Sequence, residues 1–313
     1  MPINLHVLPG LTYKTRADFK SETCSYSIAL DGILAEGPWQ DYSEEGIWRN
    51  FNHHEEVDRM ATRASCAQVS MAIRGGLFET FRDEQGPKAE VWVNDCDEDV
   101  CLAWWLLSNH TQAKPLSNPR LNRLLDVVDR LDTTAGAYGY DKDEPILTEI
   151  AWVFDPYRRF RNSGRFRNLD PNDFRGVIED VALRVGLHVV GKGRSQALDL
   201  RYELLSNGGS FSVVREIGAQ ARLALFGDGI TAFIALRADG SLAAIGRKSA
   251  DIPFPLERVF QALNEKEGCD PGDAWGPVVE GATVGGPPRT SGTSLSLKEV
   301  CQVIRDVEGP GSP

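Results

Sequence analysis

No apolar run in this chain of 313 residues approaches the ~20 residues that a membrane-crossing helix requires; Leu102 to Leu107 is among the longest. The first residues, Met1-Pro2-Ile3-Asn4-Leu5-His6, carry no basic segment followed by an apolar core. A secretory leader is therefore not expected, and a cytoplasmic location is. Positive charge is also in deficit. Against 45 Asp and Glu stand 34 Lys and Arg, and the net charge of -11 argues against attraction to nucleic acid or anionic membranes by bulk charge. A nucleotide ligand would need a local basic patch or metal ions. The six cysteines (Cys24, Cys66, Cys96, Cys101, Cys269 and Cys301) form no Cys-x-x-Cys pair, which argues against a zinc knuckle or redox motif and for reduced, partly buried thiols.

What remains is ordinary for a soluble globular protein: 42% hydrophobic and 25% charged residues, in a chain long enough for two cores. The densest chemistry lies in Val91-Trp92-Val93-Asn94-Asp95-Cys96-Asp97-Glu98-Asp99, where a β-branched and aromatic run meets aspartates at alternate positions and an apolar helical pattern follows. This pattern predicts a buried strand, a loop and a helix, with the carboxylates at the carboxyl end of the strand, where open α/β sheets place ligands. Asp95, Asp97 and Asp99 would repel one another in a shared pocket without a counter-charge, and one or two metal ions would supply it. The alternative is a solvated acidic turn that caps the next helix.

Two earlier stretches have the same form. Tyr26 to Leu34 reads as a buried strand ending near Asp31, with Gly32 permitting a tight turn directly after the carboxylate. Gly46 to Phe51 is a second strand running into Asn52-His53-His54-Glu55. With five histidines in the chain, an adjacent pair is unusual. Alternation sends the two to opposite sides unless the strand stops before them; one core and one surface histidine is the plain alternative. Thr62 to Ile73 reads as a helix packed on the sheet, ended near Gly75-Gly76, and Glu79 to Glu90 as a charged loop. Leu121 to Leu131 has clean helical spacing, so Asp126 and Asp129 are not both buried, and Asp129 or Asp132 could point back into a site.

Ile146 to Phe154 is apolar. Arg158, Arg159, Arg161, Arg165 and Arg167 then interleave with Tyr157, Phe160 and Phe166, either as a phosphate- and base-binding patch or as a segment pairing with the acidic surplus. Phe174 to Val190 and Arg194 to Leu205 look helical. Phe211 to Val214, Ala221 to Leu225, Ile230 to Leu236 and Leu242 to Ile245 read as strands, and Leu256 to Asn264 as a helix. A loop with Gly285, Gly286, Arg289 and Ser291 could approach an anion closely, Arg289 acting as the clamp. Ser296 caps a last helix, with Glu299 three residues on.

Together, Asp31-Gly32-Ile33, Asn52-His53-His54, Asp95-Cys96-Asp97-Glu98-Asp99 and Asp129 or Asp132 resemble the motifs of the DHH phosphoesterase superfamily, which includes RecJ-type exonucleases and short-oligonucleotide phosphodiesterases. The resemblance runs from about Tyr26 to Ser294. Asp95 stands where the family has a histidine and Asn52 where its signature has an aspartate. The His-x-Asp-x-Asp-like motif follows the His-His pair instead of preceding it, and Arg289 lies near where the family commonly carries a histidine. The resemblance implies a mainly parallel α/β domain over residues 1–170 flanked by helices, a helical connection over 171–210, and a smaller α+β substrate-binding domain over 211–313.

It further implies a phosphoesterase that uses Mn²⁺ or Mg²⁺, one ion or two. Asp31, Asp95, Asp97, Asp99 and Asp129 or Asp132 would be metal ligands, and His53 and His54 catalytic. Gly285, Gly286, Arg289 and Ser291 would bind substrate. The partner would be a phosphorylated small molecule, a nucleotide or a short single-stranded nucleic acid, with no membrane and with a homodimer left open. The Asn52 and Asp95 departures favour a different class, a relative that binds a nucleotide or phosphate without hydrolysing it. A structural protein with no site is the third reading.

Overall fold

Near-continuous apolar strands separated by helical stretches favour a parallel sheet covered on both faces. A computed structural model describes residues 3–59, 61–115, 117–278, 281–288 and 291–309. It is mixed α/β and divides into two units, residues 1–133 with 145–197 and residues 134–144 with 198–313. Among the described residues no helix is long and apolar enough to cross a membrane.

The first unit runs β1 (Ile3–Val7), α1 (Arg16–Glu22), β2 (Ser27–Leu30), β3 (Trp39–Ser43), β4 (Gly46–Phe51), α2 (Ser65–Arg74), α3 (Leu77–Thr80), β5 (Arg82–Asp83), β6 (Gly86–Pro87), β7 (Ala89–Val93), α4 (Glu98–Ser108), α5 (His110–Ala113), α6 (Pro119–Thr133), α7 (Pro145–Val153), α8 (Asp155–Asn162) and α9 (Pro171–Val189). The sheet order is β1-β7-β2-β4-β3. The pairs β1/β7, β7/β2 and β2/β4 are parallel, and β3 closes one edge antiparallel. All four residues of the central β2 are buried, as expected for a strand covered on both faces. Because β2, β4 and β7 are parallel neighbours, the loops after Leu30, Phe51 and Val93 open on one edge of the sheet. The order of motifs along the chain is thus no obstacle to their meeting, since β2 lies between the other two strands.

The helix α4 buries Val100, Cys101, Leu102, Ala103, Trp105, Leu106 and Leu107 and packs between α2 and α9. Each of the buried Val and Leu side chains contributes roughly 1.5–3 kcal/mol by leaving water, which anchors the start of α4 and the acidic loop before it. The 79–90 stretch, expected as a loop, contains the short hairpin β5–β6, with Arg82 opposite Pro87.

The second unit contains β8 (Tyr202–Gly208), β9 (Phe211–Glu216), α10 (Ala221–Gly227), β10 (Ala232–Leu236), β11 (Leu242–Arg247), α11 (Leu256–Glu267), β12 (Val284–Gly285) and α12 (Leu297–Glu308). Its sheet, in order β12-β11-β10-β9-β8, is smaller and mixed; β9 and β10 are parallel and the other pairs antiparallel. Phe254, Leu256, Val259, Phe260 and Leu263 of the α11 region form one core with Val300, Val303 and Ile304 of α12. The capping box of Ser296 and Glu299 is present at the start of α12.

Two expected elements differ. Ala221 to Leu225 is a helix, not a strand: Ala221, Leu225 and Phe226 bury one face at helical spacing, and Ala and Leu favour that state. Arg194 to Leu205 forms no helix. Tyr202–Gly208 pairs antiparallel with β9 around Gly209, whose φ of +83° suits the turn, and α9 belongs to the first unit.

Candidate metal centre

At the end of β2 the chain turns through two left-handed residues, Asp31 at φ +50° and Gly32 at φ +82°. Asp tolerates this region better than most side chains, and glycine adopts it freely. The Asp31 amide donates to the Phe51 carbonyl (2.9 Å), tying the ends of β2 and β4 together. Since β4 stops at Phe51, alternation no longer separates the two histidines that follow. Nε2 of His54 lies 2.9 Å and Nε2 of His53 3.3 Å from the same Asp31 Oδ1. His53 is fully buried, whereas the His54 side chain keeps 31% of its exposure.

Asn52 shapes this loop. Its buried side-chain oxygen accepts from the amides of His53 (2.8 Å) and His54 (3.1 Å). Its Nδ2 donates to the carbonyls of Leu34 (3.2 Å) and Glu36 (2.9 Å) and to Glu55 (2.5 Å). An aspartate could accept the first two hydrogen bonds but could not donate the other three. Asn52 therefore fits this backbone where an aspartate would not, and its oxygen is occupied in folding the His-His turn.

Two further carboxylates come from helices. Asp99, in the first turn of α4, accepts from the amides of Ser65 and Cys66, each at 2.7 Å, and so satisfies orphan donors at the N-terminus of α2. Asp132, near the end of α6, places Oδ2 2.8 Å from His53 Nε2, and Asp99 Oδ2 is 3.8 Å from that same nitrogen. Two overlapping groups result, Asp31-His53-His54 and His53-Asp99-Asp132, within each of which the ligand atoms lie within 4.8 Å of one another. Oxygen and nitrogen ligands ~2.0–2.2 Å from one ion stand about 3 Å apart when adjacent, so these spacings suit a shared cation. Both ring nitrogens of His53 and Oδ2 of Asp132 are buried without an aligned hydrogen-bond partner. Buried polar atoms left in this state point to a missing partner. Asp31, His53, Asp99 and Asp132 can therefore hold a metal ion.

The electrostatics agree. Burial disfavours charge on His53, but Asp132 and Asp31 outweigh it and push the imidazole up to about 11. Burial likewise opposes charge on His54, and Asp31 outweighs it, raising this group. For Asp31, burial would raise the carboxyl, but His54 and His53 hold it well below the usual range. Burial, reinforced by Asp31 and Asp132, pushes Asp99 up to about 7. Without an ion the cluster holds itself together with protons, as crowded carboxylates do.

The other acidic positions have different duties. Asp97 is the N-cap of α4, accepting from Val100 (2.9 Å), and burial with Asp31 and Asp95 nearby holds its carboxyl well above the usual range. Asp95 accepts from the amide of Cys96 (2.7 Å). Asp129 accepts from the Ala64 amide (2.7 Å) and pairs with Arg63 (3.1 Å). None of these three belongs to either ligand group among the described residues.

Most of the arginines in the 157–167 segment have partners. Arg158 binds Glu98 (2.9 Å), Arg159 binds Asp155 (3.1 Å), Arg165 binds Asp173, and Arg161 stacks on Phe166 (4.1 Å). In the second unit, Gly285 pairs with Ile245 in the sheet, and Gly286 exchanges hydrogen bonds with Gly276. A Cβ on Gly285 would lie 2.2 Å from the Gly276 carbonyl oxygen, so close packing within the unit explains this glycine. The Ser291 amide donates to Asp273 (2.8 Å). Arg289 lies outside the described residues.

Two residues at the centre carried no motif. Ser65 Oγ is 3.2 Å from Asp31 Oδ1, and its only signal is a position within a small-residue run at a helix start. Arg59 lies 3.4 Å from His54 Nδ1; a lone arginine in a polar loop gives no signal. Comparison with family models, curated proteins and solved structures finds no match to this chain.

Proposed function

We propose that the first unit is a metal-dependent phosphoesterase resembling the DHH superfamily, using Mn²⁺ or Mg²⁺ held by Asp31, His53, Asp99 and Asp132 with His54 beside them. The observation that carries this reading is the buried contact of His53 and Asp132, polar atoms without a hydrogen-bond partner, between two further carboxylates. Oxygen and imidazole donors suit these ions better than thiolate-preferring ones. When bound, such an ion would polarise a phosphoryl oxygen and make water more acidic.

The chain's own residues would do the rest. Asp99, fixed by two α2 amides, and Asp31, fixed at a strand end, hold the ligand geometry. His54 is the more exposed imidazole, so of the two it is the one placed to offer a proton to a leaving oxygen. The substrate on this reading is a nucleotide, a short single-stranded nucleic acid or a phosphorylated small molecule.

A second reading, a protein that holds such a ligand without hydrolysing it, is favoured by the commitment of the Asn52 oxygen to backbone amides. That leaves one fewer oxygen for a second ion. Assays with bis-p-nitrophenyl phosphate and short oligonucleotides, titrated with Mn²⁺, separate the two. Mn²⁺-dependent turnover supports the esterase, whereas thermal stabilisation by nucleotide without turnover supports the binder.

A further inference from the structure

We propose that Arg59 grips the anionic oxygens of a tetrahedral phosphoryl group brought to this centre. The inference rests on the functional reading above and adds the residue that recognises the ligand. Arg59 lies in the loop after β4. Its Nη2 donates to the Asp132 carbonyl (3.0 Å) and stands 3.8 Å from Asp132 Oδ2, and its Nη1 is 3.4 Å from His54 Nδ1. Its Nε is buried without a hydrogen-bond partner, while the side chain as a whole keeps 28% of its exposure. One edge of the guanidinium is thus fixed by the backbone, and donors remain for something else.

The charge balance says what that is. In the metal-free protein Arg59 is a counter-cation for a cluster with three carboxylates. A divalent ion held by Asp31, Asp99, Asp132 and a neutral His53 leaves that group at a net charge of -1, so an incoming phosphoryl anion adds negative charge that Arg59, beside Asp132 and His54, is placed to offset. A planar fork of N–H donors matches the oxygens of phosphate and can bind two at once. Neighbouring arginines are otherwise committed, Arg63 to Asp129 and Arg158 to Glu98.

The experiment uses the full chain as wild type, R59A, R59Q and R59K. Mn²⁺ affinity is measured by titration calorimetry, then the affinity of the Mn²⁺-loaded proteins for inorganic phosphate. Circular dichroism checks folding, and R59Q keeps a donor for the Asp132 carbonyl should R59A fail to fold. The expected result is that R59A and R59Q bind Mn²⁺ within ~3-fold of wild type, or tighter, yet bind phosphate at least ~10-fold more weakly, with R59K in between. Phosphate affinity unchanged in R59A or R59Q overturns the assignment while leaving the metal centre standing. Wild-type protein that takes no Mn²⁺ overturns the functional reading and this one with it.

Discussion

Nε2 of His53 stands 2.8 Å from Oδ2 of Asp132, both atoms are buried, and neither makes an aligned hydrogen bond. Two such lone-pair-bearing atoms repel at this distance unless a proton or a cation lies between them. The same histidine is also within 3.3 Å of Asp31 and 3.8 Å of Asp99.

Replacing Asp31 with Asn keeps the side-chain shape but removes one charge at the carboxylate shared by both histidines. Outer partners of metal ligands typically cost 10–100-fold in affinity, so a direct ligand should cost at least ~100-fold. Calorimetric titration with Mn²⁺ is the check, with circular dichroism showing that the fold survives.

Asp129→Ala should behave in the opposite way. This carboxylate caps the start of α2 through the Ala64 amide and lies outside both ligand groups. Loss of a cap costs about 1 kcal/mol. Denaturant unfolding should show that loss, with Mn²⁺ affinity changed less than ~3-fold. A loss of metal binding comparable to that of Asp31→Asn would show that Asp129 is itself a ligand.

Asn52→Asp adds a carboxylate directly before the His-His pair, yet it should not improve metal binding. The new carboxylate would face the Leu34 and Glu36 carbonyls and Glu55 with no hydrogen to offer. Each unmet buried hydrogen bond costs ~1–3 kcal/mol, so a loss of roughly 3 kcal/mol or more is expected in urea unfolding. A variant that is as stable as wild type and binds Mn²⁺ more tightly contradicts this account of the loop.

The response to pH has a defined sign. In the metal-free protein Asp99 is raised to about 7, so its contribution to stability is present at low pH and lost as pH climbs through about 7. His53, raised to about 11, contributes fully below its ordinary value of 6.5 and loses that contribution on the way up to about 11. Asp31, held well below the usual range, loses its contribution only in acid. Metal binding requires the first two groups to shed protons. The gap in melting temperature between Mn²⁺-loaded and metal-free protein should therefore widen from about pH 5.5 to about pH 8.5, and binding should release protons, measured by calorimetry in buffers of different ionisation enthalpy. A gap that narrows with pH would count against the cluster as the binding site.

Much of the fold was legible because its signals are local and strong. Ser27–Leu30 and Ala89–Val93 are short apolar runs, α6 carries Leu121, Leu124, Leu125 and Val128 on one stripe, and Ser296 with Glu299 marks a helix start. Ala221 to Leu225 and Arg194 to Leu205 are ambiguous in sequence because short apolar stretches fit either period, and pairing with β9 decides the second. The strand-end loops that meet could be anticipated from the sheet class. Which carboxylate within each loop turns inward could not, since Asp97 and Asp99 differ only in whether they cap α4 or reach across to α2. Asn52 reads as a lost ligand in the sequence; its role depends on carbonyls from Leu34 and Glu36, which nothing local announces.

The most direct test is anomalous scattering at the manganese edge from crystals of the full chain grown with Mn²⁺. A peak within coordinating distance of His53, Asp31, Asp99 and Asp132 is expected. Crystals that leave the contact between His53 and Asp132 without a peak, or place the ion only on other residues, would contradict the metal assignment.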